Sequence, residues 1–224
     1  MSRTTALYRI LSFEHLIDLF ETNSLYFASP KSWEDPFENI LIHRRSKAIF
    51  AQCWCKKAVS DAMWRIYSEN RMSVRIKTST IKMSAQLHRA RGEGNRLSFR
   101  IHDVEYLATA DLSRKLKSVA EDLRLEFTSY RASDALLVKR EAFDHEAESR
   151  IVIHDNNWKD SDPAQSHLRV AVDPHMLIEN IYFDPRASDR YIEVCSFYLK
   201  EKLRFSGTIG KSGLYRSQSE MLVE

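Results

Sequence analysis

At 224 residues and 26.2 kDa, the chain is long enough for one large domain and well above the size at which a core needs disulfide or metal staples. With 43% hydrophobic and 29% charged residues and only five Gly and five Pro, it is neither collagen-like, low-complexity nor disordered. The 34 Lys and Arg against 31 Asp and Glu leave a net charge of +3, too little to mark a nucleic-acid or membrane binder by charge alone.

In chain order, the apolar run Ala6 to Leu11 predicts a strand, and Ser12 is a good N-cap for a helix whose face carries Phe13, Leu16, Ile17 and Phe20. Asn23 and Ser24 stop that helix before a strand over Leu25 to Ala28. Ser29-Pro30 and Asp35-Pro36 bracket a turn-rich loop bearing Trp33 and Phe37, because a residue before proline is pushed out of the helical region. Ala48 to Cys55 reads as a buried strand, and Ser60 caps a helix presenting Met63, Trp64 and Tyr67. A strand over Ser73 to Thr78, a helix over Thr80 to Ala90, a strand over Leu97 to Leu107 and a helix over Asp111 to Phe127 follow, with Gly92 and Gly94 making a turn. The last third predicts strands at Glu148 to His154, His167 to Val172 and Ile181 to Phe183, a helix from Ser188 to Leu203 and a short strand around Leu214. Helices and short strands without regular alternation favour a single α+β domain over residues 1–224, with a mixed or mainly antiparallel sheet and flanking helices.

Cys53, Cys55 and Cys195 are an odd, sparse set that reads as thiols in a reducing cytosol, and the first two alternate as on a strand, facing one way. No apolar run approaches the roughly 20 residues that span a bilayer, and the N-terminus lacks the apolar core of a secretory signal. A cytoplasmic protein with no membrane partner is expected.

Several motifs fail on spacing. Gly207 to Ser212, GTIGKS, ends like a phosphate loop, but Phe205 stands where its first glycine belongs, so a turn is expected. Gly92-Glu93-Gly94 lacks the third glycine of a dinucleotide fingerprint. His145-Glu146 opens no zinc motif because Ser149 occupies the second histidine position, Cys53 and Cys55 have no second ligand pair, and no metal is expected. Nor does any serine occupy a nucleophile elbow.

Residues 65–100 hold nine Lys or Arg against two Glu, with Arg89, Arg91, Arg96 and Arg100 around the glycine turn. Such a patch suits phosphates, although a solvated helix face and loop is the commoner origin. On a strand, Glu146, Glu148 and Arg150 point to one face. Paired carboxylates raise one another's pKa or jointly stabilise a cation, with the arginine restraining both. Spacing alone favours a solvent-facing salt-bridge ladder on an edge strand.

Taken in order, Tyr8-Arg9, Leu25 to Pro30 with Asp35-Pro36-Phe37-Glu38, Met63-Trp64 with Tyr67, Glu146-Ala-Glu148-Ser-Arg150 and Ser212-Gly-Leu-Tyr-Arg216 resemble the bacterial family catalogued as domain of unknown function 2971. The chain departs from that pattern at Trp33-Glu34, at Phe143 in place of Trp, and at Asp184-Pro185-Arg186 in place of Gly-Pro-Arg. More distantly, the order of an early-strand arginine, middle aromatic residues and a late E-x-E strand is similar to the ADP-ribosyltransferase superfamily. That likeness implies the superfamily's fold, NAD as substrate, Arg9 on its phosphates, and Trp64 and Tyr67 as the nicotinamide wall. It also implies Tyr8 and Ser29 in the cofactor set, Glu148 as catalytic residue with Glu146 in support, and a toxin or phage-defence role against a protein or nucleic-acid target. The other reading is a non-catalytic binding module whose basic region 65–100 contacts nucleic acid or a protein. The enzyme reading requires Arg9, Tyr67 and Glu148 to converge on a pocket of several hundred cubic ångströms, about the usual range for ligand sites.

Overall fold

The computed structural model describes residues 4–216 other than 44, 93–95 and 160. The chain opens with β1 (Ala6–Ser12), α1 (Phe13–Thr22), β2 (Ser24–Ala28) and β3 (Ile49–Cys55), followed by α2 (Asp61–Tyr67), β4 (Ser73–Ser79) and α3 (Thr80–Arg91). It continues through β5 (Leu97–Asp103), β6 (Glu105–Leu107), α4 (Thr109–Leu125), α5 (Ser129–Asp134), β7 (Val138–Arg140) and β8 (Glu148–Asp155). The closing elements are β9 (His167–Ala171), α6 (Pro174–Leu177), β10 (Asn180–Phe183), α7 (Asp189–Phe197) and β11 (Thr208–Lys211).

Caps set the helix starts. The hydroxyls of Ser12, Ser60 and Ser188 accept from His15 N–H, Met63 N–H and Tyr191 N–H, each satisfying a donor with no intrahelical partner. Asn23, in the left-handed region at φ 48°, ends α1 and turns the chain straight into β2. Leu19 rather than Ile17 joins Leu16 and Phe20 among the buried residues of α1.

The fold is α+β, with a nine-stranded sheet in the order β11-β10-β4-β1-β3-β2-β9, β8 adding to β3 and β5 to β8. Pairing is antiparallel apart from β10 with β11, and β6 and β7 form a separate parallel pair. One joint in the sheet positions the site. Whereas β1 pairs with β4 along its whole length, from Ala6↔Ser79 to Ser12↔Ser73, it meets β3 at a single register, Tyr8↔Cys55. On its other side β3 pairs fully with β8, from Ile49↔His154 to Cys55↔Glu148. The sheet therefore splays open between β1 and β3. The main core lies where α1 and α3 cover the sheet, with Leu16, Phe20, Met83 and Leu87 against Leu7, Phe27, Ile76 and Ile151. A second cluster, Leu112, Leu116 and Val119 at i, i+4 and i+7, packs α4 on Val138.

Several sequence expectations are corrected here. The segment Leu97 to Leu107 is two strands, broken at Val104, whose N–H donates to the Glu148 carbonyl. The predicted helix from Ser188 to Leu203 ends as an α-helix at Phe197, and one turn of π-helix carries it to Lys202. Within GTIGKS, Thr208 to Lys211 is a strand in parallel register with β10, whereas Leu214 lies in a 3-10 turn, so the expected turn and strand exchange places. Gly92 ends α3 at φ 62°, and the rest of the Gly92-Glu93-Gly94 turn lies outside the described residues. No helix among the described residues is long and apolar enough to cross a membrane.

Candidate active site

Where the sheet splays, a cavity of about 140 Å³ is lined by Tyr8, Arg9, Cys53, Trp64, Tyr67, Glu146 and Glu148, among others. Six of the seven residues the superfamily likeness singles out thus meet in one place. Ser29 is the exception. It does not line the cavity, and its N–H donates to the Ser166 carbonyl at 2.8 Å as β2 ends. The cavity is smaller than the expected several hundred cubic ångströms, but Arg9 and Trp54 also line a second one of about 550 Å³ that reaches Glu14, Asp18, Tyr26 and Arg169.

Arg9 stands one residue past the only pair joining β1 to β3. Its guanidinium makes no ion pair with any described carboxylate, and Nη1 is buried without a hydrogen-bond partner. Burial lowers its pKa, opposed by the nearby Cys53 and Tyr67. Trp64 is buried in the wall, and Tyr67, 46% exposed, stands at the mouth with its hydroxyl donating to Glu146 Oε1 at 3.4 Å. Two distant groups hold α2 in place. Arg186, clamped by the buried Asp184, donates from Nη2 to the Trp64 and Ser68 carbonyls at 2.9 and 3.0 Å, and the Tyr215 hydroxyl bonds the Asp61 carboxylate. The departure Asp184-Pro185-Arg186 and the closing Tyr215 therefore act by anchoring the helix that carries Trp64 and Tyr67.

The carboxylate wall differs from the expected arrangement. β8 begins at Glu148, while Glu146 ends a 3-10 turn and Ala147 between them is left-handed at φ 44°. The two glutamates converge through that turn rather than through strand alternation. Nor is β8 an edge strand: it lies between β3 and β5, with Glu148 and Arg150 buried. A solvent-facing ladder is thus excluded, and the charges form a buried network. Arg150 Nε donates to Glu148 Oε2 at 2.6 Å and Nη2 to Oε1 at 3.1 Å, while Lys139 Nζ on β7 reaches Glu146 Oε2 at 2.5 Å and Glu148 Oε1 at 2.7 Å. Arg150 also bonds Glu38 and the Leu136 carbonyl and lies over the Trp33 ring. Arg140 pairs with Asp35 and lies over Phe37. The Trp33–Glu38 loop thus backs the network from outside the cavity.

Burial raises the Glu148 pKa, but the Arg150 hydrogen bonds and charge, with Lys139, outweigh it and hold this carboxyl well below the ordinary range. Glu146 goes the other way: burial and its hydrogen bond with Glu148 carry it up to about 7 against the pull of Lys139. Cys53 is pushed up to about 12, mainly by burial. Three carboxylates, Glu38, Glu146 and Glu148, therefore face two cations, Lys139 and Arg150. With Glu38 and Glu148 ionised, the wall carries one negative charge when Glu146 is ionised and none when it is protonated.

Sequence reasoning gave no site role to Lys139, nor to Glu38, which it met only within the Asp35-Pro36-Phe37-Glu38 motif. Lys139 sits on a three-residue strand, too short for an alternating signal, although the preceding apolar run Leu136-Leu137-Val138 marks a buried approach. Of the basic cluster, Arg100 pairs with Asp134 and lies over the Tyr130 ring at 4.0 Å, an internal contact.

No curated protein matches the chain. Among solved structures, Thermus sp. 2.9 DarT in complex with carba-NAD+ is similar at 12% identity over 95% of this chain and 97% of that one, with a TM-score of 0.43. The same protein in complex with NAD+ is similar at 13% identity over 94% and 97%, and in complex with ADP-ribosylated ssDNA at 13% over 95% and 98%, both with a TM-score of 0.43. Residues 63–151, the segment that carries Trp64, Tyr67, Lys139, Glu146, Glu148 and Arg150, match the family model described as protein of unknown function (DUF2971), the family the sequence motifs resemble.

Proposed function

We propose that the chain is an NAD-dependent ADP-ribosyl-transferring enzyme whose active site is the cavity at the joint between β1 and β3. The observation that carries this reading is the convergence there of an arginine lacking a counter-ion and two glutamates fixed by buried cations. NAD is the substrate. Arg9, which lines both cavities, takes the diphosphate, so that the nicotinamide half lies toward Trp64, Tyr67 and Tyr8 and the adenosine half toward Tyr26. As the bond between nicotinamide and ribose breaks, the electron pair leaves with nicotinamide and positive charge builds on the sugar. Glu148, held ionised and immobile, stabilises that charge more than it stabilises the ground state. The acceptor then bonds to the same ribose carbon, and its proton passes to Glu146, whose pKa of about 7 suits a general base at neutral pH. A toxin or phage-defence role belongs to the same proposal.

Nicotinamide release by wild type and Glu148→Gln tests it. The variant loses about 10²–10³-fold in rate with its circular dichroism unchanged, and its induction does not arrest growth where wild type does. An unchanged rate, or no NAD binding at millimolar concentration, refutes the reading. A second reading draws on the saturation of Glu148 by Arg150 and Lys139: a non-catalytic module in which the network only holds the fold. It predicts wild-type protein that releases no nicotinamide and a Glu148→Gln variant that loses stability alone.

A further inference from the structure

Several arginines among the described residues are answered by a carboxylate: Arg140 by Asp35, Arg150 by Glu148, Arg169 by Asp18, Arg186 by Asp184 and Arg100 by Asp134. Arg75 on β4 lines the site cavity and is not. Its guanidinium lies between two rings, 5.3 Å from the centroid of Tyr8 and 5.4 Å from that of Tyr182. Both Nε and Nη1 are buried with no hydrogen-bond partner. A ring face attracts the cation and fixes its plane, yet offers the N–H groups no lone pair. A buried charged donor left unpaired is costly, and a planar fork of N–H groups matches the oxygens of a phosphate. The exposed Lys57 adds a second positive charge to the lining of the same cavity.

The register separates this group from Arg9. Arg75 stands opposite Ile10 of β1, and Arg9 stands opposite Ile76 of β4. Alternation along paired strands sends the two side chains off opposite faces of the sheet. Arg9 reaches the cavity through the open joint with β3, and Arg75 reaches it from the Tyr8 side. One phosphate clamp does not use both.

We propose that Arg75, bracketed by Tyr8 and Tyr182, is a second anion subsite of this cavity and takes a phosphate group independently of Arg9. That phosphate comes from the diphosphate of the donor dinucleotide or from a phosphate on the acceptor. The subsite does not rest on the NAD reading, since an unanswered guanidinium in a cavity wall binds phosphate whatever the reaction.

Calorimetry with inorganic phosphate, inorganic pyrophosphate and NAD on wild type, Arg75→Gln, Arg75→Lys and Arg9→Gln tests it. Arg75→Gln weakens phosphate and pyrophosphate by about tenfold or more, and Arg75→Lys, which keeps the charge without the fork, falls between. Arg75→Lys also keeps the test decisive should Arg75→Gln fail to fold. If NAD weakens in parallel, the phosphate is the donor's; if NAD is unchanged while pyrophosphate binding is lost, it belongs to the acceptor. Both results support the subsite. Phosphate binding that depends on Arg75 in a protein that binds no NAD keeps the subsite and removes the NAD reading. Equal affinities for phosphate and pyrophosphate in wild type and both Arg75 variants, or no binding of either anion by wild type, overturns the proposal.

Discussion

Lys139→Met is the perturbation that bears most directly on the carboxylate wall. Lys139 is buried and donates to both Glu146 and Glu148, at 2.5 and 2.7 Å, and its ammonium lies 4.6 Å from the centroid of the Phe143 ring. Methionine keeps the apolar stem but removes the charge, leaving Arg150 to answer three carboxylates. Removing one member of a buried ion pair costs about 3–5 kcal/mol, chiefly because the remaining charge is stranded. For a chain of this length that is a fall in Tm of roughly 6–20 °C. The cost depends on pH with a definite sign. Glu146 escapes it by taking a proton, and does so more readily once Lys139 is gone, so the loss is largest above the folded-state pKa of about 7 and shrinks as pH falls below it. Urea denaturation of wild type and Lys139→Met at pH 8.5 and pH 5.5, on the order of 1.5 units either side of that value, reads both quantities. A loss below about 1 kcal/mol at both pH values would refute the reasoning, since Lys139 would then be no more than a surface-type ion pair.

The same titration contributes to the wild-type profile. Because the folded state holds the Glu146 proton up to about 7 and the unfolded chain releases it near 4.5, the Glu146 contribution to stability falls as pH rises across that window and levels off above it. Glu148, whose folded-state pKa is depressed, contributes in the opposite sense and only in acid, so Glu146→Gln flattens the decline measured by denaturation between pH 4.5 and 7; an unaltered slope counts against the assignment. Cys53, with its thiol pushed up to about 12, resists iodoacetamide at pH 8 in the native protein and reacts in denaturant, as mass spectrometry would show; rapid native labelling contradicts the raised pKa. Gly207→Ala drives a Cβ against the Phe205 ring and to 2.6 Å from the backbone oxygen of Glu179, which cannot yield cheaply. That overpacking costs about 1–3 kcal/mol in thermal melts, and a neutral result contradicts the close approach.

Most local elements were legible because their signals are local. Serine caps at Ser12 and Ser60, the stop at Asn23 and the buried run into Cys55 each act within one turn or one strand. What was not legible depends on pairing between distant segments. Nothing within Ala6–Ser12 says that β1 meets β3 at one register only, yet that joint opens the cavity and exposes Arg9 to it. The E-x-E-x-R spacing suggested three side chains on one strand face, whereas the left-handed Ala147 detaches Glu146 from the strand and brings the two glutamates together around Lys139. Thr208 to Lys211 carries a glycine and two polar residues, a pattern typical of a turn, but the edge offered by β10 recruits it as a strand, so tertiary pairing overrides local propensity.

The joint also explains how opposite charges coexist in so small a site. The β1 and β4 half of the sheet brings Arg9 and Arg75, both unanswered, while the β3 and β8 half brings Glu148 already clamped by Arg150. Were Arg9 close enough to Glu148 to pair with it, the ion pair would bridge the gap and leave Arg9 unavailable to an anionic ligand. Clamping the glutamates from behind with Lys139 and Arg150 removes their demand for Arg9, and a single backbone pair between the halves leaves the gap in which, under the proposed reaction, the phosphates and the developing positive charge of the donor would each meet a separate partner. A ligand bound at that joint in the folded state alone adds its binding free energy to the stability of the fold.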